Sequence, residues 1–371
     1  MSRVTSTARR RVTVKRALVT AVGILSASAI LAGCASSSST TGSSASGSAS
    51  TTLSGTAVWA DYGGPTHAAR QKVFLDPFSK STGVTVTSTT IADAVLTKML
   101  DGGAGDYDVV QASVSDVYNH KANLVKLPAS AKVNDLLPAD VQRYALGTFN
   151  VGEAQGFLTS TFSNGGPTNW ADFWDFKKFP GKRGIPGTAG SFDYMFEAAL
   201  MADGVAPADL YPLDIPRAIK KLDELKGHIV FYTEYPQMQQ LLASGSASIV
   251  FGPSGQFAAL SAAGSPTSIN WNQALEAQNI FVIPKGAPNK ANAIALASYF
   301  ADPKREAAFA DITNYGPGNE AALQYVSKKA IGNLPNAPVN DGKVIAVNVK
   351  SRAASFDKLL AAYGSWLATA Q

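Results

Sequence analysis

The chain has 371 residues with 32 Lys or Arg, 27 Asp or Glu, 3 His and a single Cys. Six of the basic residues (Arg3, Arg9, Arg10, Arg11, Lys15 and Arg16) fall in the first 33 positions, which hold no Asp or Glu, so the remainder carries 26 basic against 27 acidic groups. A near-neutral body without a Lys/Arg stripe excludes nucleic acid as a partner. One cysteine and three scattered histidines exclude a disulfide framework or a His/Cys metal centre, and no cofactor is expected.

The first 33 residues read as an export leader. Basic residues precede an apolar run over 17–32, broken by Thr20, Gly23, Ser26 and Ser28, and then comes Leu31-Ala32-Gly33-Cys34. That run is shorter than the roughly 20 apolar residues of a spanning helix, and small residues before a cysteine mark a lipidation site. Cys34 is therefore expected to carry a lipid anchor that holds the protein to the extracytoplasmic face of a membrane. Residues 35–52, all Ser, Thr, Gly or Ala, have nothing to bury and read as a tether with a reach of roughly 20–25 Å.

From Leu53 onward, strand and helix signals alternate. A β-prone run over 56–60 empties into Asp61-Tyr62-Gly63-Gly64-Pro65, and a helix follows with Val73, Phe74 and Phe78 inward and Gly83 at its end. A strand over 84–87, a helix over 93–100 and a strand over 107–110 come next, the last delivering Gln111-Ala112-Ser113 to its carboxyl edge. This order predicts an open parallel sheet, whose ligands lie beyond the carboxyl ends of the strands. A second α/β unit begins after Gly156-Phe157-Leu158. It contains a helix over 192–202 and a helix capped by Asp214 with Ile215, Ala218, Ile219 and Leu222 on one face. Strands at 229–232 and 249–251 alternate with helices at 235–243 and 256–263, and a strand at 281–283 closes the unit.

No complete catalytic motif is present. The nucleophile elbow, the phosphate loop, the dinucleotide turn and the zinc helix are all missing from the sequence. Ser355-Phe356-Asp357-Lys358 has the spacing of an S-x-x-K motif without its companions, on an amphipathic helix. The chain is therefore read as a binding protein and not an enzyme. A hydrolase using dispersed carboxylates is the alternative, and a flat adhesion module a third reading. Aromatics at strand ends and in loops (Trp59, Tyr62, Tyr194, Tyr235, Phe251, Trp271 and Tyr315) are candidate walls of a cleft. Asp61, Asp193, Glu234 and Glu276 are candidate partners for a cationic ligand.

Much of residues 55–325 resembles the solute-binding proteins of ABC importers, in the branch typified by the spermidine/putrescine-binding family. The likeness is carried by Pro167-Thr168-Asn169-Trp170-Ala171-Asp172-Phe173-Trp174-Asp175, Phe179-Pro180-Gly181-Lys182-Arg183 and Leu210-Tyr211-Pro212-Leu213-Asp214. Leu241-Leu242-Ala243-Ser244-Gly245, Val282-Ile283-Pro284-Lys285-Gly286 and Tyr315-Gly316-Pro317-Gly318-Asn319 continue it. The resemblance implies a periplasmic-binding-protein-like fold of class α/β, two Rossmann-like lobes joined by a hinge. Lobe 1 would comprise residues 53–157 and 283–335, lobe 2 residues 158–282, and a helical segment residues 336–371. It also implies a monomer that passes a small solute to a membrane permease served by an ATPase.

Carried over by position, Trp59, Tyr62 and Ser113 would face the solute from lobe 1. Tyr235, Phe251 and Ser254 would face it from lobe 2, with Tyr315 near the hinge. Polyamine binders of this kind offer a tryptophan and a carboxylate where this chain has Phe251-Gly252-Pro253-Ser254, and acidic residues at Gly190-Ser191. The expected solute is thus a polyamine, another amine, an amino-acid derivative or a neutral polar compound.

Overall fold

A computed structural model describes residues 53–190 and 194–370. The leader, Cys34, the tether and Asp193 lie outside the described residues. The elements run β1 (Thr56–Asp61), α1 (Gly64–Arg70), α2 (Asp76–Thr82), β2 (Thr85–Thr90), α3 (Asp93–Leu100), β3 (Val109–Ser113), α4 (Val114–His120) and β4 (Leu146–Leu158). Then come α5 (Trp170–Trp174), β5 (Arg183–Pro186), α6 (Met195–Ala202), α7 (Ile215–Asp223), β6 (Ile229–Tyr232), α8 (Tyr235–Ala243), β7 (Ile249–Pro253), α9 (Ser254–Ala262) and β8 (Thr267–Val282). The chain finishes with α10 (Lys290–Phe300), α11 (Pro303–Thr313), β9 (Gly316–Pro317), β10 (Ile345–Ala346) and α12 (Val349–Ala370).

The strands hydrogen-bond in the order β2-β1-β3-β8-β4-β7-β5-β6. Two parallel sets, β2-β1-β3 and β7-β5-β6, flank the antiparallel pair β4 and β8. Short βαβ crossovers explain the parallel sets, because a strand followed by a helix must return on the same side. The long central strands were under-read in the sequence. Only 281–283 of β8 has the unbroken apolar signature of a strand, whereas Asn270, Asn272 and Gln273 interrupt the pattern upstream.

Local chemistry sets the helix ends. Ser113 and Asp116 form a reciprocal capping box at α4, Asn169 accepts from Asp172 N at α5, and Asp214 accepts from Arg217 N at α7. The cores are separate. On the β1 side Trp59, Phe74, Phe149, Phe281, Phe300 and Phe309 pack together. On the β5 side Trp170, Phe173, Phe196 and Phe251 do so with Tyr363 and Trp366 of α12. The C-terminal helix is thus built into the β5-side core, while its first residue, Val349, accepts a hydrogen bond from Ser115 of α4 on the β1 side.

Several segments that carry the family resemblance turn out to be scaffold. The fully buried Arg183 donates to the carbonyls of Phe173, Phe179 and Gly181, tying the α5 loop to β5. Trp170 donates from Nε1 to Gln273 O and packs on Phe251. Glu306, Asn319 and Asn134 form a buried hydrogen-bonded trio.

Candidate functional site

Two aromatics expected to wall a cleft are core residues instead. Trp59 is completely buried, stacked on Phe300 at 4.8 Å and tilted against Phe281 at 4.3 Å. Phe251 is completely buried against Trp170. A strand-end aromatic is equally able to pack inward, and here both do so.

The expectation for Asp61 is corrected as well. Its carboxylate accepts from Trp59 Nε1 at 2.8 Å, Gly63 N at 2.8 Å, His67 Nδ1 at 2.9 Å and Arg70 Nη1 at 2.6 Å. Burial alone would raise its pKa, but the Arg70 charge and these donors together hold it below the ordinary value. With its lone pairs so engaged and its side chain buried, Asp61 stitches the β1–α1 turn and has no capacity left for a solute.

Ser254 is likewise a structural contact, whereas Ser113 both caps a helix and lines a cavity beside Tyr62. Ser113 caps α4, and Ser254 Oγ, wholly buried, accepts from Gly152 N at 3.3 Å. Trp271 lies over Gly152, where a Cβ would come within 2.5 Å of its ring, so a glycine is required there. Glu234 precedes α8, exposed and without a capping bond. Glu276, on β8, is half-buried, and burial raises its pKa.

Four of the remaining aromatics, Tyr62, Tyr194, Tyr235 and Tyr315, are near enough to influence one another electrostatically. Tyr62 is 56% exposed and Tyr235 42% exposed, yet surrounding protein raises the Tyr235 phenol well above its ordinary pKa, as expected in the wall of a crevice. Tyr235 also senses the charge of Glu153 and the phenols of Tyr315, Tyr62 and Tyr194. Burial and then Glu153 raise Tyr232. Burial lifts Tyr315 to about 12, with Glu153 adding to it. Tyr315 is fixed by Gln256 at 3.5 Å and by Gly255, where a Cβ would meet its ring at 2.5 Å. Tyr194 lies under the Arg352 guanidinium of α12 at 4.6 Å, and Arg352 Nη1 donates to both carboxylate oxygens of the buried Glu197 of α6.

Glu153 is at the centre of this group and was missed in the sequence. It sits on β4 opposite Pro253 of β7 and Leu275 of β8, and only 4% of its surface is exposed. No described residue donates to its carboxylate, and burial raises its pKa well above the ordinary value. Its carboxyl is thus buried in the sheet without a protein donor among the described residues. A lone Glu inside the strand Val151-Gly152-Glu153-Ala154 was the available signal.

A cavity of about 200 Å³ adjoins Tyr62, between Leu96 and Leu100 of α3, Gln111 and Ser113 of β3, Asp116 of α4 and Phe356 of α12. The crevice beneath Arg70, Phe149 and Phe281 holds only about 10 Å³, room for at most a water, and is a packing gap. Among the described residues no group of three or more His, Cys, Asp or Glu is placed to hold a metal, and no helix is long and apolar enough to cross a membrane.

Comparison with known proteins agrees with this architecture. The gamma-aminobutyric acid-binding protein of Pseudomonas aeruginosa is 29% identical over 318 residues, covering 83% of this chain and 89% of the relative. An ABC transporter substrate-binding protein from Bradyrhizobium japonicum superposes with a TM-score of 0.76 at 30% identity, covering 85% of this chain and 100% of that one. The binding protein AgtB of Agrobacterium tumefaciens, solved with agropinic acid, gives a TM-score of 0.74 at 29% identity over 85% of this chain and 99% of its own. These likenesses establish the periplasmic-binding-protein fold. Residues 74–339 match the model of the bacterial extracellular solute-binding proteins, and the chain belongs to that family.

Proposed function

We propose that this chain is the solute receptor of an ABC importer and that its solute carries an ammonium group held by Glu153. The observation that carries the reading is a buried carboxyl with no protein donor among the described residues, near enough to Tyr232, Tyr235 and Tyr315 that its charge helps raise their phenol pKa values. An unpaired charge in such a place is costly. A ligand cation removes that cost, and phenol faces around it add cation–π attraction. The relatives support the choice of an amino compound, since the one from Pseudomonas aeruginosa is named for gamma-aminobutyric acid.

In this reading the β1 side (residues 53–157 and 283–335) and the β5 side (158–282) act as lobes hinged on β4 and β8. Tyr62 comes from one and Tyr235 from the other, so contacts to both exist only when the lobes close, and binding favours closure. A lipid on Cys34 and the tether after it would hold the monomeric receptor near its permease and ATPase, outside the cytoplasmic membrane. The hydrolase alternative gains no support, because no second carboxylate acts on Glu153 among the described residues. Calorimetric titration of the purified protein with gamma-aminobutyrate and primary alkylamines tests the proposal. Saturable binding without product is expected, and failure of every ammonium compound to bind refutes it.

A further inference from the structure

We infer that α12 is a strap between the two sides of the sheet: it is rooted in the β5-side core, braced by Val349 and Phe356 on the β1 side, and holds the two sides at their observed separation. The two sides are the lobes proposed above, and no particular solute enters. Both β10 and α12 lie beyond residues 74–339, so the family match does not describe them.

The sequence of α12 sets two stripes side by side. Arg352, Leu359, Tyr363, Trp366 and Ala370 recur at helical spacing and are all buried, while Val349, Ala353 and Phe356 fall at i, i+4 and i+7 on the neighbouring stripe. The first stripe is the root. Leu359, Tyr363, Trp366 and Ala370 belong to the β5-side core. Tyr363 Oη donates to Pro186 O of β5 at 2.8 Å, Trp366 Nε1 donates to Asp223 Oδ1 of α7 at 3.1 Å, and Arg352 Nη1 reaches Glu197 Oε1 of α6 at 2.7 Å. Core aromatics and an ion pair with both side chains buried make this end costly to move.

The second stripe is the brace. Val349 packs against the β5-side core and also against the β1-side core formed around Met99, Leu100, Val114 and Val117. Its carbonyl accepts from Ser115 Oγ of α4 at 3.4 Å, and α12 lies along α4 as well as α7. Seven residues further, about 10 Å along the helix, Phe356 lines the cavity that Tyr62, Leu96 and Leu100 border from the β1 side. The start of the strap is tied to the central strands. β10 pairs with β8 at Ile345–Leu275 and Ala346–Glu276, and Val347 N donates to Glu276 O at 3.1 Å. A helix that leaves a hinge strand, roots on one side and leans on the other acts as a lever. The lobes cannot turn about β8 without sliding Val349 over α4 and Phe356 over Tyr62 and α3, and packed contacts of this kind favour discrete arrangements over gradual bending.

Double electron–electron resonance on the purified protein, with no solute present, tests the strap. Cys34 is the single cysteine of the chain, so Cys34→Ser leaves introduced thiols as the sole labelling sites. Spin labels at Lys80→Cys of α2 and Lys220→Cys of α7, both exposed, report the separation of the two sides. Phe356→Ala, which empties the brace, should broaden the distance distribution, and Ser115→Phe, which drives a ring between α4 and α12, should displace its main peak. A second pair within the β5 side, Lys177→Cys with Lys220→Cys, should give the same distribution in every variant. Unchanged Lys80–Lys220 distances in both variants overturn the inference, as does an equal change within the β5-side pair. Phe356→Ala keeps the test decisive if Ser115→Phe does not fold. Because no solute is present, a failed strap leaves the Glu153 reading standing, and a failure of every amine to bind leaves the strap standing.

Discussion

Replacing Glu153 by Gln should weaken solute binding and strengthen the empty protein. Gln keeps the shape and removes the titration. Burial raises the folded-state pKa of Glu153 well above its ordinary 4.5, so the folded protein holds a proton there that the unfolded chain releases. Stability contributed by this site is therefore highest below about 4.5 and falls as pH rises toward the raised value. Gln is left as unpaired as the neutral acid, so the two differ only by the extra cost of ionising a carboxyl of 4% exposure without a donor, taken as on the order of 1–3 kcal/mol. For a domain of this size that is a gain of a few degrees in Tm for Glu153→Gln at pH 8, with little difference at pH 4.

With solute the order reverses. Losing one partner of a buried charge pair costs about 2–5 kcal/mol, or roughly 30- to 5,000-fold in Kd. At a hundred times Kd the solute adds about 2.7 kcal/mol to the unsubstituted protein and nothing comparable to the variant at that concentration. Thermal melts from pH 4 to 9, with and without an amine solute, read all of these quantities. A variant less stable than its parent at pH 8, or one that keeps the parent's affinity, would refute the reasoning.

Other substitutions separate scaffold from site. Trp59→Ala and Phe251→Ala empty core positions and should each cost about 3–5 kcal/mol in denaturant unfolding, with any affinity loss tracking stability. Arg352→Met strands the buried Glu197 carboxylate and should cost about 3–5 kcal/mol, and adding Glu197→Leu should return much of that loss. Gly255→Ala drives a Cβ to 2.5 Å from the Tyr315 ring and should raise Kd by shifting that phenol, read by calorimetry on a protein whose circular dichroism is unchanged. Asp61→Asn weakens its pairing with the buried Arg70 and should lower Tm, whereas Tyr62→Ala, at an exposed side chain, should lower affinity and leave Tm nearly untouched.

The parallel sets were legible because their strands are short apolar runs separated by capped helices such as the one opened by Asp214. The central strands were not. β4 carries Asn150, Glu153 and Gln155, and β8 carries Asn270, Asn272 and Gln273, polar residues whose side-chain hydrogen bonds, where made, run mainly to partners distant in sequence. The same non-locality hid the site. Asp61 looks free in sequence, but the helix that follows returns His67 and Arg70 to it. Glu153 looks like an ordinary strand residue until β7 and β8 close over it. Tyr62, in a turn, and Tyr235, at a helix start, are partly exposed, while Trp59 and Phe251 show that a strand end alone does not decide between core and surface.

The most direct measurement is a carbon-13 NMR titration of the Glu153 carboxyl in the purified protein, assigned through Glu153→Gln, with and without a saturating amine. The account predicts a midpoint well above 4.5 in the empty protein that drops when the amine binds, as an adjacent cation favours the ionised form. A midpoint unmoved by a bound amine would place the solute elsewhere and contradict the account.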